Sequence, residues 1–295
     1  MIKNEKEKCN LVIAGHGLKS SFIVGVIEEI IKKYDIEIIV GASMGSFIGL
    51  YTANDKFETL KQHWEDIDFL KSIFMQKHNF GFLENILKKD SFYKLDRLAK
   101  TLEKEIDFNY WPTKLVITWT DYKTKEKIES IISEEKVHKK TLIQWILASL
   151  SISPIYPIIK TTRRIDNKLT ESYGHNSAYS ESIPIKTLFD LEENSSKKTF
   201  VVFSSRTENN LPTKNEISKD ILNLFMDSSD MLFNNNFNLD IKYSNLKNLE
   251  KNNPNIKIIM PEFHILQGIL DFDKHKIFYN IDYGRKCALK AMNEF

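Results

Sequence analysis

Gly41-Ala42-Ser43-Met44-Gly45 has the G-x-S-x-G spacing of a nucleophile elbow, in which a sharp strand-to-helix turn pushes a serine out of the chain. Small residues two positions either side let neighbouring backbone approach the turn. The N-terminus of the following helix favours the alkoxide and the oxyanion that form when the hydroxyl attacks a carbonyl. The chemistry indicated is acyl transfer through Ser43. A second turn, Gly15-His16-Gly17-Leu18-Lys19, directs several backbone N–H groups at one spot and adds a cation, which suits an oxyanion hole formed by Gly15, Gly17 and Lys19. Each pattern has a plainer reading. The first could be a tight turn without chemistry, and Gly15-x-Gly17-x-x-Ser20 comes close to a dinucleotide fingerprint. That fingerprint wants an acid at the end of the second strand, whereas here the strand runs straight into Gly41-Ala42-Ser43.

The elements that must position these turns can be read from the periodicity. Six of the ten glycines (15, 17, 25, 41, 45 and 49) fall within the first fifty residues, where the backbone must make turns and approaches that other residues resist. Leu11–Ala14 is a short, wholly apolar strand of the kind found inside a parallel sheet. Ser20 or Ser21 can cap a helix whose apolar face is Ile23, Val26, Ile27, Ile30 and Ile31. Ile36–Val40 is a second strand, and a helix follows the elbow through about Ala53. Residues 55–110 read as largely helical. Strands are expected at Leu115–Trp119, Ile128–Ile132, Thr199–Phe203 and Ile256–Met260. Helices are expected at Leu142–Leu150 and Ile217–Phe233, with an Asn-rich loop over Asn234–Asn255. This mixture predicts one α/β domain over the whole chain.

Composition excludes several classes. With 42 basic and 40 acidic residues mixed along the chain, net charge +2, nothing suggests nucleic acid as a partner. The seven histidines have no metal-ligand spacing, so neither metal nor cofactor is expected. The charged N-terminus does not read as a secretory signal, and the apolar stretch Leu142–Ile159 is broken by Pro154 and Pro157, which favours a buried helix over a membrane span. Cys9 and Cys287 read as free thiols, and the expected location is cytoplasmic with peripheral contact at a membrane. The aromatic-rich run Phe69, Ile73, Phe74, Met75, Phe80, Phe82 and Leu83 reads as core, with a lipid-facing lid as the alternative.

Together the two turns resemble the patatin-like phospholipase family. The match runs through Gly15–Lys19 into Gly25-Val26-Ile27, then Val40–Gly45, then Thr118-Trp119-Thr120-Asp121. It continues in Ala148-Ser149-Leu150-Ser151-Ile152-Ser153-Pro154-Ile155-Tyr156-Pro157 and ends near Leu270-Asp271-Phe272 and Gly284-Arg285-Lys286. The resemblance implies a three-layer α/β/α fold with a mainly parallel central sheet. It also implies hydrolysis of phospholipid or other lipid esters at a membrane surface by a Ser–Asp dyad. Similar proteins carry the aspartate eight residues before a proline. Counting back from Pro184 puts Asn176 there, and an amide cannot accept the serine proton as a carboxylate does. Counting forward from Pro157 instead brings Glu171 or Ser172 to the dyad position. A plainer reading makes residues 171–182 a polar surface loop. Two functions follow: a lipid acyl hydrolase of phospholipase A type, or a lipid-binding or regulatory relative whose base has been replaced by Asn176.

Overall fold

The apolar run Leu11–Ala14 lies inside β1 (Glu7–Ala14), which is paired on both edges in parallel, with β2 (Tyr34–Ala42) and with β9 (Lys198–Phe203). The computed structural model describes residues 6–78, 91–132, 137–165, 168–191, 197–205, 231, 235–236, 238–239, 246–263, 265 and 267–295. The remaining strands are β3 (Gln76–Lys77), β4 (Tyr93–Lys94), β5 (Lys114–Asp121), β6 (Lys127–Ile132), β7 (Ile159–Ile165), β8 (Lys168–His175) and β10 (Ile256–Ile259). Among the described residues the helices are α1 (Ser21–Lys33), α2 (Met44–Ala53), α3 (Phe57–Glu65), α4 (Ile67–Phe74), α5 (Asp96–Glu105), α6 (Lys139–Leu150), α7 (Ile185–Leu191), α8 (Leu246–Asn252) and α9 (Lys274–Asn293). The main sheet has the order β10-β9-β1-β2-β5-β8-β7, with β6 also pairing β5. Pairings from β10 to β5 are parallel, and those of β6, β8 and β7 are antiparallel.

Period-two alternation sends each central strand's side chains into two cores. Leu11 and Ile13 of β1, with Phe200 and Val202 of β9, face the larger core containing α1, α2, α6 and α9. Val12, Ala14, Val201 and Phe203 face the smaller one, closed by Ile185 and Leu188 of α7 and Leu246 of α8. Each such fully buried Val, Leu, Ile or Phe contributes about 1.5–3 kcal/mol relative to exposure. The result is the three-layer α/β/α arrangement implied by the resemblance.

Helix α1 is the mount for the first glycine turn, and α9 holds it in place. A Cβ on Gly25 would lie 1.9 Å from the Ile281 carbonyl oxygen, and one on Gly284 would lie 2.0 Å from that of Phe22, so the two helices touch backbone to backbone. The Leu18 N–H donates to the Ile269 carbonyl (2.9 Å), tying the turn itself to the segment before α9.

Several details differ from the sequence reading. Ser20 occupies the N-cap of α1 but makes no capping bond; its hydroxyl accepts the His16 N–H (2.9 Å). The Asn-rich stretch contains α8, because Leu246 and Leu249 pack on the smaller core and packing overrides poor helix propensity. Residues 171–182 are no surface loop: they form the end of β8 and a 3₁₀ turn, Ser177–Tyr179, with Ser172, Asn176 and Ser177 buried. Phe74 is buried against Phe47, so it belongs to core and not to a lid. Phe80, Phe82, Leu83 and all but Met231 of the helix expected over 217–233 lie outside the described residues. Both cysteines are free thiols, and burial pushes the Cys9 pKa up to about 12. Among the described residues no helix is long and apolar enough to cross a membrane.

Candidate active site

Ser43 stands between β2 and α2 at φ 54°, ψ −128°, a backbone conformation that costs a non-glycine residue about 1–3 kcal/mol and persists only where its surroundings enforce it. Those surroundings are identifiable. The Ser43 N–H donates to Ser149 Oγ (2.9 Å), on α6. Ser46 Oγ donates to the Gly41 carbonyl (2.7 Å) and shares a bond with Ser149 Oγ (2.8 Å). Thr118 Oγ1 donates to the same Gly41 carbonyl at 3.1 Å. Ser149→Ala should leave the buried Ser43 N–H without its acceptor and cost about 1–3 kcal/mol in denaturant unfolding. A change within experimental error would mean the elbow does not depend on that bond.

Asn176 follows β8 and is fully buried. Its N–H donates to the Ser151 carbonyl (2.7 Å), and its side chain is engaged at both ends. Oδ1 accepts from the Ala178 N–H (3.0 Å); Nδ2 donates to the Ser149 carbonyl (2.7 Å) and to Ser43 Oγ (3.0 Å). The amide orientation is assigned by this network. Reversed, its oxygen would face a carbonyl oxygen and its NH₂ would face an N–H. Ser43 Oγ therefore accepts a hydrogen bond from the Asn176 side chain.

Glu171 is elsewhere. It pairs with Lys160 (2.5 Å) and Tyr173 (2.9 Å), has a side chain 51% exposed, and lies five residues back along an extended strand from Asn176, a reach of roughly 16 Å. Lys160 first and then Tyr173 hold its carboxyl below the usual range. Asn176, and not Glu171, is brought to Ser43. His275 is exposed at the start of α9.

The first glycine turn lies over the elbow. Gly15, His16, Gly17, Ser43, Asn176, Ser177 and Ala178 line one pocket with a cavity volume of ≈ 10 Å³, room for about one water. Gly15 is so close to the start of α2 that a Cβ there would fall 2.1 Å from the Gly45 nitrogen. Its own N–H is used to bind the Ala42 carbonyl (3.0 Å). His16 and Leu18 N–H groups are likewise committed, while the Gly17 N–H has no acceptor among the described residues. The first-turn amides of α2, Met44 and Gly45, are the other donors geometry supplies, because helix N-termini have no intrahelical acceptors for them. Lys19 is buried beside the turn, and His16 Nδ1 bonds Ser205 Oγ (2.8 Å). The hold of Ser149 on Ser43 escapes the sequence reading; its hint is a small polar residue inside an otherwise apolar stretch of α6.

A family model described as patatin-like phospholipase matches residues 11–173. The chain belongs to the patatin-like phospholipase family. Members are in general lipid acyl hydrolases. The match contains both glycine turns, Ser43, Thr118–Asp121 and the Ala148–Pro157 segment, and it ends three residues short of Asn176. Among solved structures, VipD from Legionella pneumophila aligns with a TM-score of 0.42 at 11% identity, over 98% of this chain and 67% of that one. No curated protein sequence matches the chain. Among the described residues no group of three or more His, Cys, Asp or Glu could hold a metal ion.

Proposed function

We propose that the chain is a patatin-like lipid acyl hydrolase site of phospholipase A type whose base is replaced, so that it binds a phospholipid or related lipid ester but hydrolyses it only weakly. Ser43 is the nucleophile of this site, and Gly17, the start of α2 and the charge of Lys19 provide the oxyanion side, with Gly15 setting their spacing. Asn176 stands at the base position. The observation that carries this reading is the bond from Asn176 Nδ2 to Ser43 Oγ at 3.0 Å. A hydrogen-bond donor cannot remove the hydroxyl proton as the ester carbonyl is attacked, and general-base assistance is worth about 10²–10⁴ in rate. This chemistry requires no metal.

A fluorophosphonate probe tests the assignment, because it labels an activated serine. Slow labelling of the chain as written, faster labelling of Asn176→Asp and none of Ser43→Ala are expected. Rapid labelling of the unaltered chain, or labelling that survives Ser43→Ala, would overturn the reading.

A further inference from the structure

Asp121, at the end of β5, takes no part in the chemistry above, yet it is buried and heavily used. Its Oδ1 accepts the N–H groups of Lys123 (2.8 Å) and Thr124 (3.0 Å), its carbonyl accepts that of Lys125 (2.8 Å), and its Oδ2 accepts the Ser172 hydroxyl. Lys125 is thereby held at φ 64°. A buried carboxylate thus fixes a turn, Tyr122-Lys123-Thr124-Lys125, that stands out from the sheet.

The turn presents lysines on tyrosines. Tyr122 is 45% exposed with the Lys125 ammonium 4.0 Å above its ring, and the Lys123 ammonium lies 4.2 Å from the ring centre of Tyr173. Tyr122 packs edge-on against His175 (5.9 Å), which stacks on Tyr179 (4.1 Å), itself 39% exposed. Burial first, and Lys125 second, push the His175 pKa down to about 4, so this ring is a neutral spacer. Tyr179 closes the 3₁₀ turn whose Ser177 and Ala178 line the Ser43 pocket. The surface is therefore continuous with the site.

Its charge is in part left over, although Glu171 lies within electrostatic reach of Lys123. Glu126 is paired with Arg163 (2.9 Å) and Glu171 with Lys160 (2.5 Å), while neither Lys123 nor Lys125 forms an ion pair among the described residues. The other exposed aromatic face, Phe278 and Tyr279 on α9, differs in this respect. Around it Lys276 is bound to Asp271, Lys290 to Glu262 and Arg285 to Glu28, leaving Lys274 over the Phe278 ring, and no residue of α9 lines the Ser43 pocket. Tyrosine places a ring among lipid headgroups with its hydroxyl in water, and lysine beside it is attracted by anionic lipid.

We propose that Tyr122, Lys123, Lys125 and Tyr179 form the surface by which the protein docks on a membrane bearing anionic lipid, setting the Ser43 pocket against the bilayer. This rests on the lipid-ester reading of the pocket. The test is flotation of the full chain with vesicles of phosphatidylcholine alone or mixed with phosphatidylserine. Binding to the mixed vesicles only is expected. Lys123→Glu combined with Lys125→Asn, the latter chosen because asparagine tolerates a left-handed backbone, should lower it about tenfold or more at unchanged melting temperature. Tyr122→Ser with Tyr179→Ser should weaken it as well. Equal binding to both vesicle types, no binding to either, or loss on Phe278→Ser with Tyr279→Ser while the turn variants bind normally would each overturn the proposal. In an Asn176→Asp background the turn variants should hydrolyse a soluble short-chain ester at the parent rate. If ester hydrolysis never arises but anionic vesicles are still bound through the turn, the catalytic reading fails and the docking surface stands.

Discussion

Asn176→Asp should raise ester hydrolysis by about 10²–10⁴ over the chain as written. The substitution removes the donor that Ser43 Oγ now accepts from and supplies an acceptor for its proton at the same place, 3.0 Å away. The Ser149 carbonyl complicates the gain. It accepts from Asn176 Nδ2 at 2.7 Å, so a carboxylate oxygen in that position would face another oxygen. Two acceptors repel, and a buried carboxyl so placed has its pKa raised, which favours the proton-bearing form. The variant's activity should therefore climb as pH rises through that raised value, because only the ionised carboxyl accepts a proton. Its stability should move the other way. With the folded-state pKa above the unfolded one, the folded chain binds the proton more tightly, so the contribution is present at low pH and lost as pH rises. Fatty-acid release and melting temperature, each followed across pH, measure the two trends. A folded variant as inactive as its parent, at every pH, would remove Asn176 from the base position.

Gly15→Ala and Gly45→Ala should each cost about 3 kcal/mol or more, because overpacking against backbone cannot be relieved by turning a side chain. A Cβ on Gly15 would lie 2.1 Å from the Gly45 nitrogen, and one on Gly45 would lie 2.1 Å from the Ile13 carbonyl oxygen. The end of β1, the first glycine turn and the start of α2 are stacked with no room for a methyl group. Scanning calorimetry should show melting temperatures lower by roughly 6 °C or more, with weakened labelling at Ser43. Gly268→Ala is the control: a Cβ there meets only Asp271 Cβ, at 3.7 Å. If all three variants melt together, this stacking is not tight. Gly17 belongs with the first two, since its φ is 50° and a Cβ would fall 2.3 Å from the Ile269 carbonyl. A larger residue there unseats the turn from the segment before α9 before it can obstruct a substrate.

The glycine turns and the buried strands were legible in the sequence because their signals are local: wholly apolar runs, then glycines where backbones must meet. The spacing to Pro184 points to Asn176, whose side chain bonds Ser43 Oγ. Counting from Pro157 gives Glu171 because it ignores β7 and β8, whose antiparallel pairing takes up Ile159–Ile165 and Lys168–His175. Strand β8 itself is polar, Lys-Leu-Thr-Glu-Ser-Tyr-Gly-His, and carries no apolar alternation. Its inward contacts are Ser172 on Asp121 and Gly174 against Ala148, partners far off in the chain. The hold of Ser149 on Ser43 spans more than a hundred residues for the same reason. Such polar, long-range bonds leave no periodic trace.

The glycine contact between α1 and α9 has a consequence for the order of assembly. During synthesis Ile269, which binds the Leu18 amide, and Gly284, which meets α1, emerge about 250 residues after α1 and the Gly15–Lys19 turn. Contacts of such separation carry a large loop-closure cost and form late in folding. A nascent chain therefore exposes Phe22, Val26 and the flat glycine face of α1 until α9 arrives. The turn over Ser43 also lacks its anchor until the segment around Ile269 has been made.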